Sequence, residues 1–122
     1  MNKTCLVVDD VEVSRYASQL VLEELGFKII EAADGDECMA AIRKSRPDAI
    51  LMDWHLRKQS GLELITRLRE IPGAARIPVI VFSGVEAENA EASAKAAGAN
   101  GFVSKPTSKE KLAAEFKRIG LM

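Results

Sequence analysis

Apolar residues fall along the chain in two rhythms. Leu6-Val7-Val8, Phe27–Ile30, Asp48–Met52, Pro78–Phe82 and Gly101-Phe102-Val103 are short runs rich in branched or aromatic residues. That is the pattern of strands buried on both faces. Between them the apolar positions move to helical spacing. Ala17, Leu20, Val21 and Leu25 share one predicted face, as do Leu64, Ile65, Leu68 and Ile71, and later Leu112, Phe116 and Ile119. Start signals agree with these helices: Asp34 with Glu37, Ser60 with Glu63 and Thr107 with Glu110 have capping-box spacing. Gly26, Gly98 and Gly120 stand where helices should stop, and Pro72-Gly73 marks a loop. From Glu86 to Ala99 the chain is rich in Ala and Glu, which predicts a weakly amphipathic helix covered by solvent on one side.

Five alternations of strand and helix result. Short strands joined by helices run parallel and are covered on both faces, and the right-handed crossover rule favours a doubly wound α/β sheet. The whole of residues 1–122 is expected to form one domain, without repeat or linker.

Composition narrows the function classes. Apolar residues make up 48% and charged residues 29%, which suits a folded core and argues against disorder. With 17 basic and 18 acidic residues the net charge is −1, so no global field draws the chain to nucleic acid or a membrane surface. No apolar run reaches the length of a membrane span, and the start of the chain lacks the length and cleavage site of a signal peptide. Cys5 and Cys38, far apart and accompanied by a single His, predict buried reduced thiols rather than a zinc site, and a cytoplasmic location.

The chemistry lies at the predicted strand ends. The first strand runs into Asp9 and Asp10, the third into Asp53, the fourth into Ser83, and the fifth is followed by Lys105-Pro106. Open parallel sheets place function beyond the carboxyl ends of their strands. Acids gathered there repel one another unless a cation compensates. A hard divalent ion does so with oxygen ligands, a lysine offers a compact positive charge to a phosphoryl oxygen, and a serine offers a hydroxyl. The set suits phosphoryl transfer to a carboxylate. Singly, each residue has a plainer reading: Asp10 as a helix cap, Ser83 before Gly84 as a turn residue, Lys105 as a solvated charge. Their joint placement favours the functional one.

This arrangement resembles the receiver domain of bacterial two-component response regulators. Essentially the whole chain takes part, and Leu51-Met52-Asp53-Trp54-His55-Leu56 with Gly61 is similar to the family's phosphorylation-site stretch. The length and the ending Phe116–Met122 resemble stand-alone, chemotaxis-type receivers. The resemblance implies strand order 2-1-3-4-5. It implies that Asp53 accepts a phosphoryl group from a sensor histidine kinase or histidine phosphotransferase. Asp9, Asp10, Asp53 and the backbone carbonyl of His55 would hold Mg2+ or Mn2+. Lys105 and Ser83 would contact the phosphate, Phe102 would be the rotating aromatic, and the Lys105–Pro106 bond would be cis. An output protein would read the face of the fourth helix, fifth strand and fifth helix.

The chain departs from the family pattern at several places. Arg57 stands where Pro is usual, which predicts a looser loop after Asp53. Ser60 stands where an acid is common, and Gly84 where Ala is common, which predicts a looser switch loop. Phe102 replaces the commoner Tyr and has no hydroxyl. His55 is expected to use only its backbone carbonyl, with its ring in solvent. Trp54 either packs beside the site, where its fluorescence reports metal, or fills the core.

Two other functions fit parts of the pattern. An aspartyl-phosphate phosphatase of the haloacid dehalogenase class needs a second acid two residues after the nucleophile, where this chain has His55, and more chain for a cap. A phosphate-independent binding module would use Arg57, Lys58, Arg67, Arg69 and Arg76 for an anionic ligand; the expectation is instead that these are solvated charges. Binding to DNA is not expected, because no helix-turn-helix or basic extension accompanies the domain.

Overall fold

Every predicted strand is present and each is followed by a helix. The structure, a computed structural model, describes residues 3–84 and 87–122. The order is β1 (Lys3–Val8), α1 (Glu12–Glu24), β2 (Phe27–Ala32), α2 (Gly35–Lys44), β3 (Ala49–Asp53), α3 (Gly61–Arg69), β4 (Val79–Ser83), α4 (Ala87–Ala97), β5 (Gly101–Ser104) and α5 (Lys109–Arg118). The expected start of the fourth helix at Glu86 lies outside the described residues, as do Met1 and Asn2.

The sheet is five-stranded and parallel, in order β2-β1-β3-β4-β5. Alternation along the strands divides the core. Leu6, Val8, Ile50, Met52, Val79 and Val81 face α2, α3 and α4, where they meet Cys38, Ile42, Leu64, Ile65, Leu68 and Ala94. Cys5, Val7, Ala49, Leu51, Ile80, Phe82 and Val103 face α1 and α5, against Leu22, Leu112 and Phe116. Phe27 and Phe116 close that second layer with ring centroids 4.7 Å apart. Because β1 is flanked by β2 and β3, the chain reverses direction across the sheet there. The loops leaving β1 and β3 diverge and open a crevice at their carboxyl ends.

Helix α1 does not bury the face its apolar residues predicted. Ser18 and Leu22 point into the core, with Val21 and Leu25 partly buried beside them. Ala17 and Leu20 are exposed, and together with Val13 (80% exposed) and Tyr16 they form an apolar stripe in solvent. A small hydroxyl residue sits where the helix approaches the sheet, so the core stripe is the less apolar of the two. The predicted faces of α3 and α5 hold: Leu64, Ile65, Leu68, Leu112 and Phe116 are fully buried.

Caps set the helix entries. Asp34 Oδ1 accepts from the Glu37 N–H at 2.8 Å, while the Glu37 carboxylate accepts from the Ala33 N–H rather than from the cap itself. Ser60 Oγ accepts from the Glu63 N–H at 3.2 Å, which gives a serine at this position its own structural use. Thr107 is not the cap of α5. Ser108 Oγ accepts from the Lys111 N–H at 3.1 Å, and the Lys111 ammonium turns back to the carbonyls of Ser104 and Pro106. After α1, Gly26 has φ +94°, a conformation that ends the helix and that side chains resist.

The edge of the sheet away from the crevice is fastened by Arg69, which is not the solvated charge expected. Its guanidinium donates to the carbonyls of Ala74, Ala75, Ile77 and Gly98 and to Asn100 Oδ1. Asn100 Oδ1 also accepts from the Val79 N–H, so one side chain ties the end of α3 to the start of β4 and the end of α4.

Candidate functional site

The carboxyl ends of the strands bring Asp9, Asp10, Asp53, Ser83 and Lys105 to one place. Asp53 is the last residue of β3 and is 3% exposed. Its Oδ1 accepts from the His55 N–H at 3.0 Å and its Oδ2 accepts from Lys105 Nζ at 3.2 Å. Burial pushes the Asp53 carboxyl above its ordinary range and Asp9 pushes it further, while the His55 N–H and the Lys105 ammonium pull it down; the upward effects win. Lys105 follows β5 directly, and its ammonium also lies 4.8 Å from the centre of the Phe82 ring. The Lys105–Pro106 peptide is cis.

Asp9, Asp10 and Asp53 each turn an oxygen to a common point, with these oxygens within 4.8 Å of one another. Asp9 is fully buried. Its Oδ1 accepts from the Val11 N–H at 2.9 Å, but its Oδ2 is buried without a hydrogen-bond partner. A buried carboxylate oxygen without a donor, on an acid clustered with two others, is poorly accounted for by protein contacts alone. Hard oxygen donors in this number suit a small divalent cation such as Mg2+ or Mn2+, so the residues fit such an ion.

Three side chains do more than expected. The His55 residue is exposed, as expected, but its ring also has a partner: its Nε2 lies 3.1 Å from Ser83 Oγ, a bond in which either can donate, depending on the imidazole tautomer. Ser83 is fully buried at the end of β4, so the pair ties the loop after β3 to the end of β4. Arg57, expected to loosen its loop by lacking Pro's fixed backbone, is tied to Asp10 instead. Its backbone N–H and its Nε donate to Asp10 Oδ2 at 2.6 and 3.2 Å, and its Nη2 donates to the Asp10 carbonyl at 2.8 Å. Arg15, which sequence reasoning missed, donates from Nη1 to the Asp9 carbonyl at 2.6 Å and from Nε to Glu31 at 2.9 Å. Those contacts hold the Glu31 carboxyl below its usual range. The signal available was a basic residue one turn into the helix that follows an acidic pair.

Trp54 follows Asp53 in the chain and packs its ring on the core. Its N–H donates to the Phe82 carbonyl, its own carbonyl accepts from the Gly61 N–H, and the ring lies against the α2–α3 layer. Gly61 lets the ring settle: a Cβ there would stand 2.6 Å from Trp54 Cε3 and 3.1 Å from Trp54 Cα. Gly61→Ala is therefore expected to cost about 1–3 kcal/mol by overpacking and to shift the Trp54 emission. Unchanged denaturant midpoint and emission would show that the ring is not so confined. At Gly84 a Cβ would meet Lys105 Cβ at an ordinary 3.4 Å, so the glycine is not required by space.

A model of the response regulator receiver domain matches residues 5–117. The chain belongs to this family. Receivers are phosphoacceptor signalling domains of two-component systems, phosphorylated on an aspartate. This receiver is 33% identical over 119 residues to the phosphate regulon transcriptional regulatory protein PhoB of Pseudomonas aeruginosa, covering 98% of this chain and 52% of that protein. It thus spans about half the length of that regulator. Among solved structures it is similar to a chain from Chloroflexus aurantiacus, with TM-score 0.91 and 30% identity over 98% of each chain. It is also similar to the chemotaxis response regulator CheY4 of Vibrio cholerae, with TM-score 0.87, 27% identity and coverage of 98% and 99%. Among the described residues, no helix of the receiver is long and apolar enough to cross a membrane.

Proposed function

We propose that this receiver is phosphorylated on Asp53 by a phosphohistidine of a sensor histidine kinase or histidine phosphotransferase, and that the acyl phosphate changes its affinity for a protein partner in chemotaxis, motility or phosphorelay signalling. The observation that carries this reading is the buried Asp53 carboxylate, clustered with Asp9 and Asp10 and paired with the Lys105 ammonium. Asp9, Asp10 and Asp53, with the carbonyl of His55, would hold Mg2+ or Mn2+, which when bound neutralises charge on the carboxylates and the incoming phosphoryl oxygens.

An Asp53 oxygen attacks phosphorus. The O–P bond forms, the P–N bond to the donor imidazole breaks, and the imidazole nitrogen keeps the electron pair. Lys105, already beside the nucleophile, meets the negative charge on the transferred group. Ser83 holds His55 in the unmodified protein, and a phosphoryl group on Asp53 offers its hydroxyl a stronger, anionic acceptor. Exchange of that partner shifts the end of β4 and biases a two-state equilibrium. Phe102, half-buried on β5 against the α4 layer, and Glu115 of α5, whose carboxylate accepts from the Phe102 N–H at 3.0 Å, extend this coupling to the α4-β5-α5 face, the proposed partner surface.

Incubation with Mg2+ and a small phosphodonor is expected to give one acid-stable, base-labile phosphate, located on Asp53 by mass spectrometry and absent from Asp53→Asn. Equal modification of the variant, or none of the wild type, would refute the assignment.

A further inference from the structure

We infer that Arg57 is a resident cation of the acidic site, and that a divalent ion must displace its guanidinium to use Asp10 fully. The inference rests on the metal reading above. The three carboxylates are counter-charged unequally. Asp53 has the Lys105 ammonium, Asp9 has a buried oxygen with no donor, and Asp10 has Arg57 on both its side chain and its carbonyl. The oxygen that takes Arg57 is Oδ2, which receives both the backbone N–H and Nε, so a metal ion approaching it meets two donors already in place.

Those two donors differ in kind. The backbone N–H is fixed by the loop and adds no net charge. The guanidinium is a full charge on a flexible stem, and its side chain is 76% exposed while that of Asp10 is 12% exposed. A cleft of about 430 Å³, lined by Asp10, Asp34, Gly35, Leu56, Arg57 and Gln59 among others, opens beside it. The guanidinium can therefore leave Asp10 for solvent without repacking the core. It partly relieves carboxylate repulsion in the metal-free state and raises the ion concentration at which the site loads. Ion pairs open to solvent are weak and screened by salt, so the competition is modest and tunable rather than a block.

Titration with Mg2+, followed by Trp54 fluorescence and by calorimetry, tests this with wild type, Arg57→Ala and Arg57→Pro. Arg57→Ala is expected to tighten the Mg2+ Kd about 2–5-fold at low ionic strength, with the gap shrinking at high salt. Arg57→Pro also deletes the N–H donor and is expected to bind at least as tightly as Arg57→Ala. Mg2+ binding by wild type and Arg57→Ala with equal affinity, or weaker binding by the variant, would overturn the inference and leave the metal reading standing. No Mg2+ binding by any of the three proteins would overturn both.

Discussion

Asp53→Asn is expected to raise the melting temperature of the metal-free receiver at neutral pH. The wild-type carboxylate is buried beside Asp9, and its own pKa is raised, chiefly by burial. The folded state therefore holds the Asp53 proton more tightly than the unfolded chain does. Stability falls as pH rises from the unfolded carboxylate value, about 3.9, through the raised folded value, and the full penalty applies above it. An asparagine keeps the acceptor for the His55 N–H and removes the charge. Removing that charge is expected to raise the melting temperature by a few degrees, net of the ion pair that the partly exposed Lys105 ammonium gives up to solvent. The gain should vanish at acidic pH, where the wild-type carboxyl is protonated. Glu31 and Glu115, whose carboxyls are held low, lose stabilising contacts as pH falls, but they do so in both proteins and cancel from the difference. Added Mg2+ should narrow or reverse the ranking, because an ion relieves the repulsion only in the wild type. Thermal melts across pH, with and without Mg2+, measure all of this. A variant less stable than wild type at neutral pH without metal would contradict the account.

Lys105→Ala is expected to separate metal binding from phosphoryl transfer. Removing the ammonium 3.2 Å from Asp53 leaves the acidic site more negative, so Mg2+ affinity should stay equal or rise. The same change strips a preorganised positive charge from the transferred group. Loss of one such group typically slows the reaction about 100- to 1,000-fold. Acyl phosphate formation from a small phosphodonor at saturating Mg2+ should show that loss. The pH profile should also move: without Lys105 the Asp53 carboxyl is pushed higher still, so the fall in rate on acidification begins at a higher pH. Full rescue of the rate by more Mg2+ would assign Lys105 to metal affinity instead. An unchanged rate would remove it from the chemistry.

The strands were readable because their burial on both faces leaves near-continuous apolar runs, and each run stops at the residue that begins the site. That is why Asp9, Asp10, Asp53, Ser83 and Lys105 could be gathered before any coordinates. Helix α1 misled because periodicity counts apolar residues without knowing which stripe meets the sheet. Ser18 and Leu22 face the core, while the more apolar Val13, Tyr16 and Leu20 do not. The cap of α5 slipped by one residue because Thr107 and Ser108 both suit the role, and the backbone at Ser108 decides between them. His55, Arg57 and Arg15 were beyond reach for a different reason. Their partners lie 28, 47 and 16 residues away for Ser83, Asp10 and Glu31, so the pairing exists only once the sheet has aligned the loops.

The two thiols give the receiver an internal clock. Cys5 lies on β1 in the layer under α1 and α5, Cys38 on α2 in the opposite layer, and both are fully buried with pKa values pushed up to about 12, chiefly by burial. At neutral pH neither is a thiolate or open to reagent in the folded chain, so alkylation waits for an opening event. Each cysteine then times the opening of its own side of the sheet. Labelling at equal rates would mean that the two layers come apart together. A faster Cys38 would mean that the layer carrying α4, on the proposed signalling side, opens while the other stays shut.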